Sequence, residues 1–207
     1  YVKSLLKDIQ YNEELDEELI ESLVTLSIGT NPRSIKRLIN SLSLIKILND
    51  TKNDPDSGDN DSSISYEGSV INNVDVATVM LAMVCLQIAN SDVYDMLVAE
   101  PTFVTSWNDD FAYKLTQKKE ENDKSWEQNF KQAKESDDFD EAWEKCLYRV
   151  CYVNPRQRPN ATKYSKFLSD LRDEYDPEDF QKLIATALKQ TAAVSYTHLT
   201  LPTNHPV

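Results

Sequence analysis

The segment spanning residues 74–89 sets the strongest limit on how this chain can fold. Val76, Val79, Met80, Leu81, Met83, Val84, Leu86 and Ile88 make it apolar on nearly every side, with Asp75 and Gln87 near its ends. A helix that is apolar all round must be enclosed by other elements or by lipid. The segment is too short to span a bilayer comfortably, so a buried central helix is expected. The rest of the chain must then supply elements with one apolar face each to cover it.

Periodicity supplies them. A short helix is expected at the start, with Val2, Leu5, Leu6 and Ile9 on one face. Residues 15–28 carry Leu15, Leu19, Ile20, Leu23, Val24 and Leu26 at helical spacing, with Asp16, Glu17 and Glu18 in the first turn, where negative charge is favourable. Gly29 stands in the position that glycine takes after a helix C-terminus. A third helix is expected over 32–49, started by Thr30 or Asn31 as cap and by Pro32, and striped by Ile35, Leu38, Ile39, Leu42 and Ile45. Beyond the central helix, Ser91 is the expected cap for 92–100. A loop is expected over 103–108, then helices over 110–119, 123–135 and 138–152, the last with Phe139, Ala142, Trp143, Cys146, Leu147 and Val150 as its stripe.

Asn154-Pro155-Arg156-Gln157-Arg158-Pro159 reads as a loop, because two prolines four residues apart cannot continue a helix. Helices are expected from Asn160 or Thr162 to about Tyr175, and from Pro177 to about Gln190. No stretch alternates convincingly with period two. The expected class is all-α, a helical bundle of about 8–9 helices with a long acidic disordered insertion at 50–73. Trp107, Trp126 and Trp143 are expected core anchors.

Composition excludes several functions. The chain of 207 residues carries a net charge of −13, which argues against nucleic-acid binding over its whole surface. Its three glycines, Gly29, Gly58 and Gly68, are too scattered for a phosphate-binding loop. Both histidines, His198 and His205, fall in the last ten residues, so histidine triads and typical zinc sites are not expected in the folded part. The acidic insertion lacks EF-hand spacing, and no metal site is expected. Cys85, Cys146 and Cys151 are expected as reduced thiols in packing positions. No segment has the organisation of a signal peptide, and none reads as membrane-spanning.

Against this acidic background, residues 31–49 contain four Lys/Arg and no Asp or Glu. Arg33, Lys36, Arg37 and Asn40 fall opposite the apolar stripe. A cation in a helix's first turn is disfavoured by the helix dipole, so Arg33 marks a candidate anion site beside the free N–H groups of the helix start. A second basic cluster comprises Arg149, Arg156, Arg158, Lys163 and Lys166, with Tyr148, Tyr152 and Tyr164 nearby. Arg156, Arg158 and Lys163 are its candidate contacts to an anion or nucleic acid.

The order acidic helix, Gly29, then Asn31-Pro32-Arg33-x-x-Lys36-Arg37-Leu38 resembles the helical lid of AAA-type P-loop ATPases, and most closely the C-terminal part of KAP-family P-loop NTPases. The run Cys85-Leu86-Gln87-Ile88-Ala89, then Tyr94, Leu97 and Glu100-Pro101-x-Phe103, resembles the helical region downstream in the same bacterial proteins. The likeness covers roughly residues 1–159 and is specific at 31–38. It implies a lid-like segment over 1–49 with a sensor-type arginine helix; composition and periodicity add an acidic flexible linker over 50–73 and a helical domain over 74–192. It implies Arg33 as a phosphate sensor supported by Arg37 or Lys36, with ATP and Mg bound mainly by a preceding NTPase domain of the same chain. The fragment alone would then not hydrolyse ATP. The location implied is cytoplasmic, with membrane association only through parts outside this sequence, and an oligomer or protein partner is compatible. The alternative is a helical protein- or nucleic-acid-interaction module with no nucleotide role.

Residues 193–207, beginning Ala193-Val194-Ser195-Tyr196-Thr197-His198, break the pattern. They resemble translated sequencing-adapter read-through, and the expectation is a non-native tail with both ends of the chain artificial.

Overall fold

In the computed structural model, residues 2–9, 11, 15–52, 73–120, 125–136 and 141–200 are described. Every regular element among them is helical: α1 (Val2–Asp8), α2 (Glu17–Leu26), α3 (Pro32–Lys52), α4 (Asn73–Ala89), α5 (Ser91–Ala99), α6 (Phe103–Ser106), α7 (Asp109–Glu120), α8 (Ser125–Ser136), α9 (Ala142–Val153), α10 (Ala161–Asp173) and α11 (Pro177–Thr200), with a 3-10 turn at Arg158–Asn160. The protein is all-α. Residues 53–72, which hold most of the expected acidic insertion, lie outside the described residues, as does Phe139.

The apolar segment occupies the centre. Val79, Leu81, Ala82, Met83, Cys85 and Leu86 of α4 are fully buried. α2, α3, α5 and α11 pack around it. Each of the long helices presents the stripe that its spacing dictates: Leu19, Ile20 and Leu23 from α2, Leu38, Leu42 and Ile45 from α3, and Leu183, Ile184 and Ala187 from α11. Burial of one such leucine or isoleucine contributes about 1.5–3 kcal/mol relative to exposure. α9 is a second hub, packed on by α6, α7, α8 and α10, while α10 closes back on α2. The two hubs share one apolar core that runs from Leu6 to Leu188.

Aromatic side chains tie the second hub together. Phe103 meets Trp143 edge-on at 5.0 Å, Trp107 at 5.4 Å and Phe180 at 6.0 Å between centroids. All three tryptophans are buried. Arg172 of α10 donates to Glu141 at 2.8 Å, and the Trp143 indole donates to the same carboxylate at 2.7 Å. Tyr94 and Thr191 share a buried hydroxyl hydrogen bond of 2.9 Å that joins α5 to α11.

Several boundaries differ from those expected. The loop at 103–108 contains one helical turn, Phe103–Ser106, held where Phe103 is buried and capped by Trp107 N–H donating to the Phe103 carbonyl. Asn90, not Ser91, caps α5: its buried side-chain oxygen accepts from Val93 N at 3.3 Å. α9 begins at Ala142 instead of residue 138, with the Glu144 carboxylate accepting from Glu141 N at 3.3 Å. α3 extends to Lys52 and α11 to Thr200. No proline lies between Pro32 and Pro55 or between Pro177 and Pro202 to stop either helix.

Candidate functional site

The candidate site is assembled by the α2–α3 turn. α2 ends with Ser27 N donating to the Leu23 carbonyl and Gly29 N to the Val24 carbonyl at 2.9 Å, a wrapped helix end that needs a left-handed residue. Gly29 has φ +62°, and nothing lies within 4 Å of a Cβ placed there. Its backbone angle, not lack of space, calls for glycine. Two residues later the Asn31 side-chain oxygen accepts from Arg33 N at 3.0 Å, and its carbonyl accepts from Ile35 N at 3.0 Å. Asn31 is therefore the cap, and Pro32 sits first in the helix, where its missing N–H leaves no bond unmade.

The buried stripe then fixes which way the cations face. With Ile35, Leu38 and Leu42 turned into the core, Arg33, Lys36, Arg37 and Asn40 are exposed together on the outer face. The first turn of α3 contains no acid. Among the described residues Arg33, Lys36 and Arg37 have no ion-pair partner, whereas Lys166 pairs with Asp170, Arg172 with Glu141 and Lys182 with Asp179. The fourth cation, Lys46, is used internally: its Nζ donates to the Ile9 carbonyl at 3.1 Å, near the end of α1. Beside the helix start lies a cleft of about 380 Å³, walled by Val2, Ile20, Val24 and Ile35, with Glu21 and Thr30 at its polar side.

The second basic cluster is divided. Arg156 and Lys163 are exposed. Arg158 turns inward, donating through Nε and Nη2 to the Tyr152 carbonyl at 3.2 and 3.0 Å, with its guanidinium 5.8 Å from the Tyr152 ring. It satisfies a carbonyl at the end of α9, a group that the helix itself leaves open. Lys166 is paired with Asp170 at 2.8 Å. Tyr148 and Tyr164 are buried, their hydroxyls donating to Thr162 at 3.1 Å and to Gln157 at 3.0 Å, so neither offers a stacking face.

Thiol chemistry is closed to this fold at neutral pH. Burial pushes the Cys85, Cys146 and Cys151 thiols up to about 12, and Asp109 beside Cys146 and Asp92 beside Cys151 act in the same direction. All three are buried and free of disulfides, in the packing positions expected of them. Among the described residues no group of three or more His, Cys, Asp or Glu is placed to hold a metal ion. The residues at the α3 start fit phosphate oxygens as donors, and they include no ligand set for Mg. No helix among the described residues is long and apolar enough to cross a membrane.

One constellation escapes a reading of the sequence: Trp126 and Phe130 of α8 with Arg149 of α9. The i, i+4 spacing of Trp126 and Phe130 is the available signal, and it reads equally well as core packing.

Comparison with known proteins found no matching family model, no matching curated protein and no matching solved structure.

Proposed function

We propose that this chain is the C-terminal helical part of a bacterial P-loop NTPase of KAP or AAA-like type, in which α2 and α3 act as a lid over a nucleotide held by Walker segments upstream. The observation that carries this reading is the outer face of the α3 start: Arg33, Lys36 and Arg37 stand exposed, with no ion-pair partner among the described residues, in a chain of net charge −13. An unpaired guanidinium beside a capped helix start suits a phosphate better than it suits an isolated bundle. Arg33 would hold the terminal phosphate of ATP through bidentate donors, with Lys36 and Arg37 adding positive charge. ATP with Mg supplies the transferable phosphoryl group; this chain supplies charge stabilisation and no nucleophile. The lid partner would be the preceding NTPase domain, in a cytoplasmic protein.

The test is made in the complete protein. Arg33→Ala should lower ATP turnover by about 100-fold, the scale seen when one transition-state donor is removed. Arg33→Lys should restore little of that loss, because a lysine cannot form the two-donor fork. Unchanged turnover would remove the sensor role. An upstream sequence without Gly-x-x-x-x-Gly-Lys-Ser/Thr would remove the NTPase reading altogether.

The alternative is an interaction module, favoured by the exposed Arg156 and Lys163 at the turn after α9. It calls for binding of DNA or an acidic partner that weakens steeply with salt, and Arg156→Ala should weaken it further.

A further inference from the structure

α3 carries two ordered faces, and the fold uses one of them. Ile35, Leu38, Leu42 and Ile45 are buried, and α3 packs on α4. On the far side Arg33, Arg37, Asn40, Leu44 and Ile47 follow one another at intervals of four, three, four and three residues. That alternation holds a seam on one side of a helix, and it is the spacing by which one helix packs along another. From Arg33 to Ile47 the seam runs about 21 Å, at about 1.5 Å per residue.

Most of this seam is open. Arg33, Arg37 and Asn40 are exposed, and Leu44 is half-buried against the core. Ile47 is 58% exposed, the most open large apolar side chain among the described residues. A lone exposed isoleucine is ordinary. Here it closes a seam whose other end is cationic. Lys36 stands exposed beside Arg37, and none of the three cations has an ion-pair partner among the described residues. In a chain of net charge −13, such a stretch without acids is complementary to an acidic surface.

We propose that the outer seam of α3 docks one amphipathic helix of a partner protein, acidic at one end of its own seam and apolar at the other. Its carboxylates meet Arg33 and Arg37, and its apolar end covers Leu44 and Ile47. Asn40 lies between the two halves, where a polar seam residue fixes the register of paired helices. A second copy of this chain fits poorly. Two α3 seams laid parallel would set arginine on arginine, and laid antiparallel they would set Arg33 and Arg37 over Ile47 and Leu44. A nucleic-acid backbone would leave Ile47 unused. The proposal stands without the lid reading, and its test turns on Ile47, to which that reading gives no role.

The test uses the whole chain and two labelled synthetic helical peptides of about 20 residues, a length that spans the seam. Their seam positions read Glu, Glu, Asn, Leu and Leu at the same spacing, in one peptide from the N-terminus and in the other from the C-terminus, so that both orientations are covered. Control peptides carry Lys in place of Glu. Fluorescence anisotropy should show saturable binding of at least one Glu peptide, with Kd of about 100 μM or tighter at low salt, and no binding of the Lys peptides. Ile47→Gln should weaken binding about tenfold, the scale of losing one buried aliphatic side chain. Arg37→Glu should abolish binding of the Glu peptide and admit a Lys peptide. Both positions are exposed, so the helix content seen by circular dichroism should be unchanged. No saturable binding of either Glu peptide, equal binding of the Lys peptides, or undiminished binding in Ile47→Gln would each overturn the proposal. So would a dimer of the chain that Ile47→Gln dissolves, which would assign the seam to a second copy. A DNA duplex that displaces the peptide and binds Ile47→Gln as well as the wild type would assign the cations to phosphates instead. Should a variant lose helix content, the contrast between Glu and Lys peptides on the wild-type chain decides.

Discussion

Asn31-Pro32-Arg33 and Asn154-Pro155-Arg156 are the same three residues with the same local bond. In each, the asparagine side-chain oxygen accepts from the arginine backbone N–H, at 3.0 Å and 3.1 Å. The first opens a helix of 21 residues, and the second closes into a turn and three residues of 3-10 helix. The residues downstream of each motif decide between them. After Arg33 the chain places Ile35, Leu38 and Leu42 on one buried stripe, so continuing the helix buries apolar surface. After Arg156 comes Gln157-Arg158-Pro159. Pro159 would remove a helical hydrogen bond and clash with the preceding turn. Arg158 folds back onto the Tyr152 carbonyl instead, and the Gln157 side chain donates to the Ala89 carbonyl at 3.5 Å. The cap is thus a shared start signal, and the two outcomes differ because the core stabilises one continuation and not the other. The consequence for function is that Arg33 remains outward while the later Arg158 becomes structural.

The largest effect that separates the two regions is expected from pH. α9, which runs into the second motif, holds Cys146 and Cys151, and α4 holds Cys85; no cysteine lies in α3. Burial raises all three thiols from the ordinary value of 9.0 to about 12. A raised folded-state value means that the folded chain binds more protons than the unfolded chain between those limits, so stability is complete below about pH 9 and falls as pH rises towards 12. Denaturant midpoints should therefore drop across that window. Cys146→Ala together with Cys151→Ala should make the drop shallower, leaving the parts carried by Cys85, Tyr164 and Tyr175, while Arg33→Ala should leave its slope alone. An equally steep drop without the two α9 thiols would mean that other groups carry it.

These contrasts also mark what the sequence could reveal. The central position of α4 was legible because Val79, Met80, Leu81, Met83, Val84 and Leu86 cover every side of a helix, and they are all buried. The start of α3 was legible because glycine, asparagine and proline each answer a local backbone need. α6 was not, since four residues are too few for a period to register. The cap of α5 was misplaced because Asn90 serves two elements, donating its N–H to Leu86 of α4 while its side chain caps Val93. At the candidate site, the outward face of Arg33, Lys36 and Arg37 could be read from the stripe alone. The inward turn of Arg158 and the unpaired indole of Trp126 could not, because each depends on an acceptor that only the assembled fold puts in reach or keeps away.

The next largest effect is expected at the stripe that makes α3 continue. Leu38 is fully buried, and Leu38→Ala should destabilise the chain by about 2–5 kcal/mol in denaturant unfolding. The loss should exceed that of any single substitution within residues 154–159, where none of the side chains is fully buried. A smaller loss at Leu38 than at Arg158 would show that burial of this stripe is not what holds α3.

The smallest effect is the one that bears most on function. Arg158→Ala removes two donors from the Tyr152 carbonyl and the stacking over its ring, and should cost about 1–3 kcal/mol of stability. Arg33→Ala removes an exposed side chain that has no ion-pair partner among the described residues, and should change stability by no more than about 0.5 kcal/mol. The backbone N–H that Asn31 caps is unaffected by the substitution, so the helix start is retained. Far-ultraviolet circular dichroism and denaturant midpoints on the two variants, side by side, check the pair. If Arg33→Ala destabilised the chain as much as Arg158→Ala, Arg33 would be a structural residue as Arg158 is, and a fall in ATP turnover could no longer be read as loss of a phosphate contact. If stability holds and turnover falls, Arg33 reaches beyond the fold while Arg158, two residues past the second motif, helps to hold it.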